Sequence, residues 1–411
     1  MHALAQQWGT PLYLYDGATV RAQAAELTCL VRRIYPGQSL VAYAAKAYFS
    51  LGFARQIARL GLGVDVVSLG ELAIARQAGF APETVHLHGN NKSQAELEAA
   101  ARWGVQSIVI DSLEELDFLE TLLTHQPAGT PPVNVWLRIT PGLNVHTHPY
   151  RQTGHTASKF GLPVTDGQAA EAVARASRSQ RLRLTGLHTH LGSQLFETEP
   201  YREAVWALCR LAHEQGFTPE EISPGGGWGV AYHPEDSSAP IADWITAAAE
   251  TLQAASQRYH WPLPRLVIEP GRWLTARAGV ALYTLGTHKT LADGSQVAAV
   301  DGGMADNPRP ALYQAHYTAC LVDRPLAAPT QKFRLVGKFC ESGDELIPDL
   351  ELPDFQRGDV LAMPAAGAYQ LSMASNYNLA PRPAALWLEE GQVTVLQARE
   401  DIVESGYWAQ P

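Results

Sequence analysis

Between residues 39 and 272, short apolar runs alternate with longer amphipathic stretches at a steady spacing. A run of four to eight apolar residues reads as a buried strand, and an apolar stripe repeating every three to four residues reads as a helix. Ser39–Ala45 predicts a strand and Ser50–Leu60 a helix; Gly63–Val67 and Leu69–Ala78 repeat the pair. Thr84–Leu87 with Ser93–Trp103 and Ser107–Ile110 with Leu113–Leu123 follow. Val133–Ile139 is a fifth strand, joined by a long loop to a helix at Gly167–Ala176. Leu182–His188 precedes the helix Glu199–Gln215, Glu221–Ser223 precedes Ile241–Arg258, and Leu266–Ile268 is the eighth strand. Eight such repeats predict a (β/α)8 barrel, a TIM-like α/β fold, in preference to an open doubly wound sheet.

After Arg272 the helical period fades. Gly279–Leu285, Gln296–Val300, Phe333–Phe339, Asp359–Met363 and Ala385–Leu396 are strand-like, separated by turns such as Asp293-Gly294 and Asp301-Gly302-Gly303. This pattern predicts a mainly antiparallel β domain. The strand-like Thr10–Asp16 precedes the barrel and is expected to pair with that domain. The expected organisation is therefore a barrel over 25–272 and a β domain built from 1–24 and 273–411.

With 411 residues and 46% hydrophobic content, the chain can build both cores. A formal net charge of −10 without any Lys/Arg-rich block argues against nucleic acid and anionic membranes as partners. Cys29, Cys209, Cys320 and Cys340 are widely spaced, in neither a metal-ligand nor a disulfide pattern. Met1–Trp8 lacks a basic segment followed by an apolar run, and no apolar stretch is long enough to span a bilayer. A cytoplasmic location is the resulting expectation.

Functional residues of a barrel belong at the carboxyl ends of its strands, and the chemistry-bearing residues fall there. Lys46 follows the first strand, where a partly desolvated lysine can form a Schiff base; most lysines after a strand, however, are merely solvated. Gly225-Gly226-Gly227-Trp228-Gly229 follows the seventh strand and could bring backbone N–H groups to a phosphate, or be only a turn. Ser193 could add a hydroxyl to the same anion. His188 ends the sixth strand, where an imidazole can stack on a flat ring or serve as hydrogen-bonded structure. Glu269-Pro270-Gly271-Arg272 follows the eighth strand, and a carboxylate there needs a cationic partner: a protonated pyridine nitrogen, or Arg272 itself. Together these four features describe a pyridoxal 5'-phosphate site. In Gly337–Asp344 a thiol, Cys340, adjoins a carboxylate, Glu341, in a small turn; the first could protonate a carbanion and the second hold an ammonium group. His86, His88, His146 and His148 form pairs with metal-like spacing, but their context predicts a polar rim, and no metal is expected.

Nearly the whole chain resembles the alanine-racemase-like fold group of pyridoxal-phosphate enzymes, and within it the diaminopimelate decarboxylase family. The segments that carry the likeness include Thr10–Tyr13, Tyr43–Lys46, Gly63–Leu72, Gly89–Ser93, His146–His148, Ser158–Gly161 and the histidine-serine segment 188–194. They continue through the glycine loop, Glu269–Arg272, Asp301–Met304, Asn307–Tyr313, Cys340–Asp344 and Gly367–Tyr369 leading to Tyr377-Asn378. The resemblance implies that Lys46 carries the cofactor, His188 stacks on its ring, and Glu269 pairs with the ring nitrogen. It places Ser193, Gly226, Gly227, Gly271 and Tyr369 around the phosphate. Arg272, Arg309 and Tyr313 match the groups that grip the substrate's non-reacting carboxylate. Glu341 matches the acceptor for the non-reacting ammonium, and Cys340 the proton donor. It further implies a homodimer whose Cys340 and Glu341 serve the neighbouring subunit's site. One departure stands out: Tyr48 occupies the place of the asparagine usual two residues after the lysine, which could alter packing beside the cofactor.

The activity so implied is decarboxylation of meso-2,6-diaminopimelate to L-lysine and CO2. A racemase of the same fold would carry an arginine in place of Glu269. Decarboxylases of ornithine, arginine or carboxynorspermidine act on substrates without the second carboxylate, which Arg309 and Tyr313 disfavour. A catalytically silent homologue would be expected to lack Lys46 or Cys340, and both are present.

Overall fold

The computed structural model describes residues 1–125, 127, 129–143, 158–232, 236 and 238–402. It divides into two compact units: Gln23–Gly229 with Ser237–Gly271, and Met1–Ala22 with Val230–Asp236 and Arg272–Pro411.

The first unit is the barrel. Its eight strands are Ser39–Ala44, Gly63–Val66, Val85–Leu87, Ser107–Ile110, Val133–Thr140, Leu182–His188, Glu221–Gly225 and Arg265–Ile268. Each pairs in parallel with its neighbours, and Leu266 opposite Ser39 joins the last strand to the first. The strands are buried on both faces, so they read as continuous apolar runs rather than alternating ones. Leu40, Ala42, Val109, Trp136 and Val267 fill part of the interior. Beside them Glu221 accepts from the Trp136 Nε1–H and from Gln106, 3.0 Å each, and pairs with Arg265 at 3.2 Å. Side-chain caps begin several helices. Ser50, Ser68, Ser93 and Ser112 accept from backbone N–H groups three residues on, and Ser93 with Glu96 forms a reciprocal capping box. The predicted barrel elements therefore stand, with ends displaced by a residue or two.

The second unit is a largely antiparallel sheet. Leu12–Asp16 lies within it, antiparallel to Gly279–Thr290 (Leu14 opposite Val280) and parallel to Ala384–Glu389 (Leu14 opposite Leu386). The predicted run Ala385–Leu396 is two strands, Ala384–Glu389 and Gln392–Gln397, because Glu390 and Gly391 at φ 50° and 76° reverse the chain. Phe333–Phe339 is displaced to Gln331–Val336: Gly337 leaves the sheet when its N–H bonds the Asp344 carbonyl. Among the elements that escaped the pattern reading are the helix Gly17–Ile34, the strand Glu345–Leu352 and the short helices His2–Trp8 and Arg309–Tyr313. Leu12, Leu14, Leu282, Val360, Ala362, Ala384 and Leu386 form this unit's core, to which Ala5 of the helix His2–Trp8 adds.

Candidate active site

The first barrel strand runs into a single tight turn, Ala45–Ala47. Ala45 and Ala47 take the buried positions of that turn and Lys46 the exposed one. The partial desolvation expected of this lysine is thus not met, because its two neighbours occupy the interior. The Tyr43 hydroxyl braces the turn, donating to the Tyr48 carbonyl at 2.8 Å and accepting from the Tyr48 N–H at 3.1 Å. Tyr48 itself is buried, edge-on to Phe53 at 5.2 Å.

Glu269, His188, His88 and Ser223 meet at four other strand ends, all buried. The His188 Nε2–H donates to Glu269 Oε2 at 3.1 Å and Ser223 Oγ donates to Oε1 at 2.8 Å, while His88 Nε2 stands 3.6 Å from Oε1. Burial works to raise the Glu269 carboxyl, but the two imidazoles facing it hold it well below the usual carboxylate range. Burial pulls His188 down to about 4 despite that carboxylate, so its ring is neutral at physiological pH. Because Nε2 carries the hydrogen given to Glu269, Nδ1 is left with a bare lone pair, buried and without a partner. The facing atoms of His88, His188 and Glu269 lie within 4.8 Å of one another, a spacing a divalent cation could also use. Asp65, at the end of the second strand, is raised well above the usual range by burial and by Glu269.

The glycine loop owes its composition to close approach. A Cβ on Gly226 would stand 2.0 Å from the Glu269 carbonyl oxygen, and one on Gly227 would stand 2.1 Å from that of Gly192. Gly227 also sits at φ 97°, where a side chain is strained. The loop is stitched to the segment holding Ser193: Leu195 N–H donates to the Gly227 carbonyl at 3.0 Å and Gly229 N–H to that of Leu195 at 2.7 Å. Gly271 is buried directly after Glu269-Pro270, whose Pro270 carbonyl accepts from Ala44 N–H.

In the second unit, Arg272 and Arg309 are buried, Arg309 to 1% exposure. Arg309 opens the short helix Arg309–Tyr313, which ends on the half-buried Tyr313. Its Nη1 donates to the Tyr317 hydroxyl, its Nε has no hydrogen-bond partner, and no carboxylate among the described residues pairs with it. Arg272 Nη1 donates to the Tyr232 hydroxyl at 2.5 Å, and its guanidinium lies 4.5 Å from the Tyr369 ring centre. Tyr232 also faces Arg309, whose guanidinium is 4.8 Å from its ring centre. Burial would raise the Tyr232 hydroxyl, but the two guanidinium groups hold it below the ordinary tyrosine value. Two buried cations on one tyrosine, Arg309 with no carboxylate partner among the described residues, could hold an anion.

Cys340 and Glu341 occupy an exposed turn of the same unit. Asn378 Oδ1 accepts from Cys340 N–H at 3.0 Å, and the Tyr377 hydroxyl donates to the Cys340 carbonyl at 3.2 Å. Asp344 fastens the turn from beneath, accepting from Met304 N–H at 2.6 Å and Phe339 N–H at 2.8 Å.

Tyr232, Tyr317, Ser223 and Asp344 carry no role in the sequence pattern. Tyr317 lies eight residues from Arg309 and had only that nearness as a signal. In place of the polar rim expected of them, His86 and His88 are buried, His86 bonding Ser107 Oγ at 2.8 Å and packing on Trp136. Alternation on a strand of a closed barrel turns such residues inward. His146 and His148 lie outside the described residues.

Residues 21–276 match the pyridoxal-dependent decarboxylase family, pyridoxal binding domain. Diaminopimelate decarboxylase of Halalkalibacterium halodurans is 41% identical over 97% of this chain and 90% of its own, and that of Bacillus subtilis is 40% identical over 98% and 92%. Among solved structures, diaminopimelate decarboxylase from Helicobacter pylori complexed with L-lysine superposes with a TM-score of 0.88 at 30% identity, covering 99% of this chain and 98% of that one. By domain match, near-complete coverage and shared fold, the chain belongs to the pyridoxal-dependent decarboxylases and, among them, to the diaminopimelate decarboxylase family.

Proposed function

We propose that this chain removes CO2 from meso-2,6-diaminopimelate to give L-lysine, the last step of lysine biosynthesis, with pyridoxal 5'-phosphate bound at the mouth of the barrel. The buried Arg309, with no carboxylate paired to it among the described residues, carries the substrate assignment: diaminopimelate brings a second carboxylate and ornithine does not.

The barrel residues fit the cofactor. His188 offers a buried ring with an unpartnered Nδ1, Glu269 is an ionised carboxylate, and the loop at Gly226 and Gly227 admits no side chain. Lys46 would hold the cofactor through its ε-amine. His188 would cover its ring, and Ser193, Gly226, Gly227, Gly271 and Tyr369 would hold its phosphate. Glu269, fixed by Ser223 and His188, would keep a proton on the ring nitrogen. When bound, pyridoxal phosphate supplies the electron sink for the pair released as CO2 leaves. Arg272, Arg309 and Tyr313 grip the distal carboxylate and Glu341 the distal ammonium, so the substrate is held by the head that does not react. The Cys340 thiol delivers its proton to the α-carbon. In this reading Cys340 and Glu341 act on the neighbouring subunit of a homodimer, and the enzyme works in the cytoplasm. No helix among the described residues is long and apolar enough to cross a membrane.

The test is lysine and CO2 formation by the pyridoxal-phosphate-loaded protein, with ornithine, arginine and carboxynorspermidine run in parallel. Turnover of diaminopimelate with the others at least about a hundredfold poorer is expected, since losing the distal anion leaves the buried Arg309 without its anionic partner. Turnover of ornithine at a comparable rate would overturn the substrate assignment. Activity is expected to survive EDTA, which separates the ring-nitrogen role of Glu269 from a metal role for His88, His188 and Glu269.

A further inference from the structure

Tyr232 is not among the residues that the family likeness assigns, yet it is the centre of the anion site. Its hydroxyl takes the Nη1 hydrogen of Arg272 at 2.5 Å, and the Arg309 guanidinium lies against its ring. The two guanidinium groups stand 5.7 and 4.8 Å from its ring centre. Tyr317, which accepts from Arg309, meets the Tyr232 ring edge-on at 5.4 Å and 83°. The backbone is held as well: Tyr232 N–H donates to Asp236 Oδ2 at 2.8 Å.

Two buried like charges repel, and their long side chains have many rotamers to choose from. A phenol that accepts from one cation while its ring face holds the other sets their separation and offsets part of their desolvation. The aromatic face adds a cation–π attraction that an aliphatic side chain cannot supply.

We propose that Tyr232 is a positioning and specificity-setting residue: its phenol oxygen anchors Arg272 while its ring supports Arg309, holding the two at the spacing that accepts the distal carboxylate. This rests on the reading of the two arginines as the distal-carboxylate clamp. Tyr232 contributes through the arginines, so its removal weakens ligands that carry that carboxylate and spares ligands that lack it.

The experiment is a binding titration of the pyridoxal-phosphate-loaded Tyr232→Phe variant beside the wild type, followed by the cofactor's absorbance. L-Lysine keeps the distal carboxylate and cadaverine has none. Loss of a hydrogen bond to charged partners corresponds to about tenfold or more in Kd. L-Lysine is therefore expected to weaken by at least about tenfold in the variant while cadaverine changes by less than about twofold. Cadaverine binding also serves as the check that the variant is folded. Unchanged L-lysine affinity would overturn the inference, as would equal losses for both ligands, which mark a general structural role. Failure of the wild type to turn over diaminopimelate would instead strike the functional reading, because both titrations can be read without turnover.

Discussion

Glu269 and His188 show how burial selects protonation states that a sequence cannot. Burial works against the Glu269 carboxylate, but His188 and His88 facing it hold it in its charged form, while burial pulls the His188 imidazole down to about 4. Asp306 shows the opposite outcome. It accepts from the Tyr283 hydroxyl at 2.6 Å, from Tyr13 at 3.2 Å and from Gly303 N–H at 2.9 Å, yet burial raises it to about 6. With an unfolded value of 3.8, the folded chain keeps a proton between these values that the unfolded chain has released. Its contribution to stability therefore falls as pH rises through that window. Comparing urea unfolding of the wild type and Asp306→Asn at pH 5 and 7.5, the wild type should lose about 1 to 1.5 kcal/mol relative to the variant. Parallel pH profiles would contradict this account of Asp306.

The glycine loop and the Cys340 turn are elements whose shapes leave little freedom. Glycine was legible as a phosphate-loop signal at 225–229, but its structural reason is the contact with Gly192 and Glu269, which no local pattern encodes. Gly227→Ala would drive a Cβ into the Gly192 carbonyl at an already strained φ. The variant is expected to fold, with unchanged far-ultraviolet circular dichroism, and to bind pyridoxal phosphate at least about tenfold more weakly by absorbance titration. Wild-type cofactor affinity would show that the loop tolerates the change. The Cys340 turn depends on Asp344 in a similar way: Cβ atoms on Gly303 or Gly337 would fall 2.4 and 2.2 Å from its carboxylate oxygens. The motif Gly337–Asp344 is readable from its thiol and adjacent carboxylate; that Asp344 ties it down is visible only in the fold.

For the whole molecule, the barrel was legible because fully buried parallel strands must be short apolar runs and their covering helices amphipathic. The helix Gly17–Ile34 was missed although it buries Val20, Ala24, Leu27 and Val31 at helical spacing, because its length is dominated by polar and small residues. The proposed homodimer makes a prediction that concerns the assembly alone. Lys46→Ala and Cys340→Ala should each be nearly inactive, but co-expressed chains should recover about a quarter of wild-type activity, since half the dimers are hybrids with one intact site. A mixture that stays as inactive as its parents would exclude a site shared between subunits.

The order of strands and helices, and the placing of Lys46, His188, the glycine loop and Glu269 at strand ends, were settled by the sequence alone. Periodicity encodes which residues face a core, and a barrel's topology then carries every strand end to one rim. Only the tertiary structure decided which of those residues share a hydrogen bond. Tyr232 stands forty residues from Arg272 in the chain, and its partnership with two arginines depends on the path of the intervening chain. The protonation of Glu269 and Asp306 likewise follows from burial and facing groups, quantities that exist only once the chain has folded.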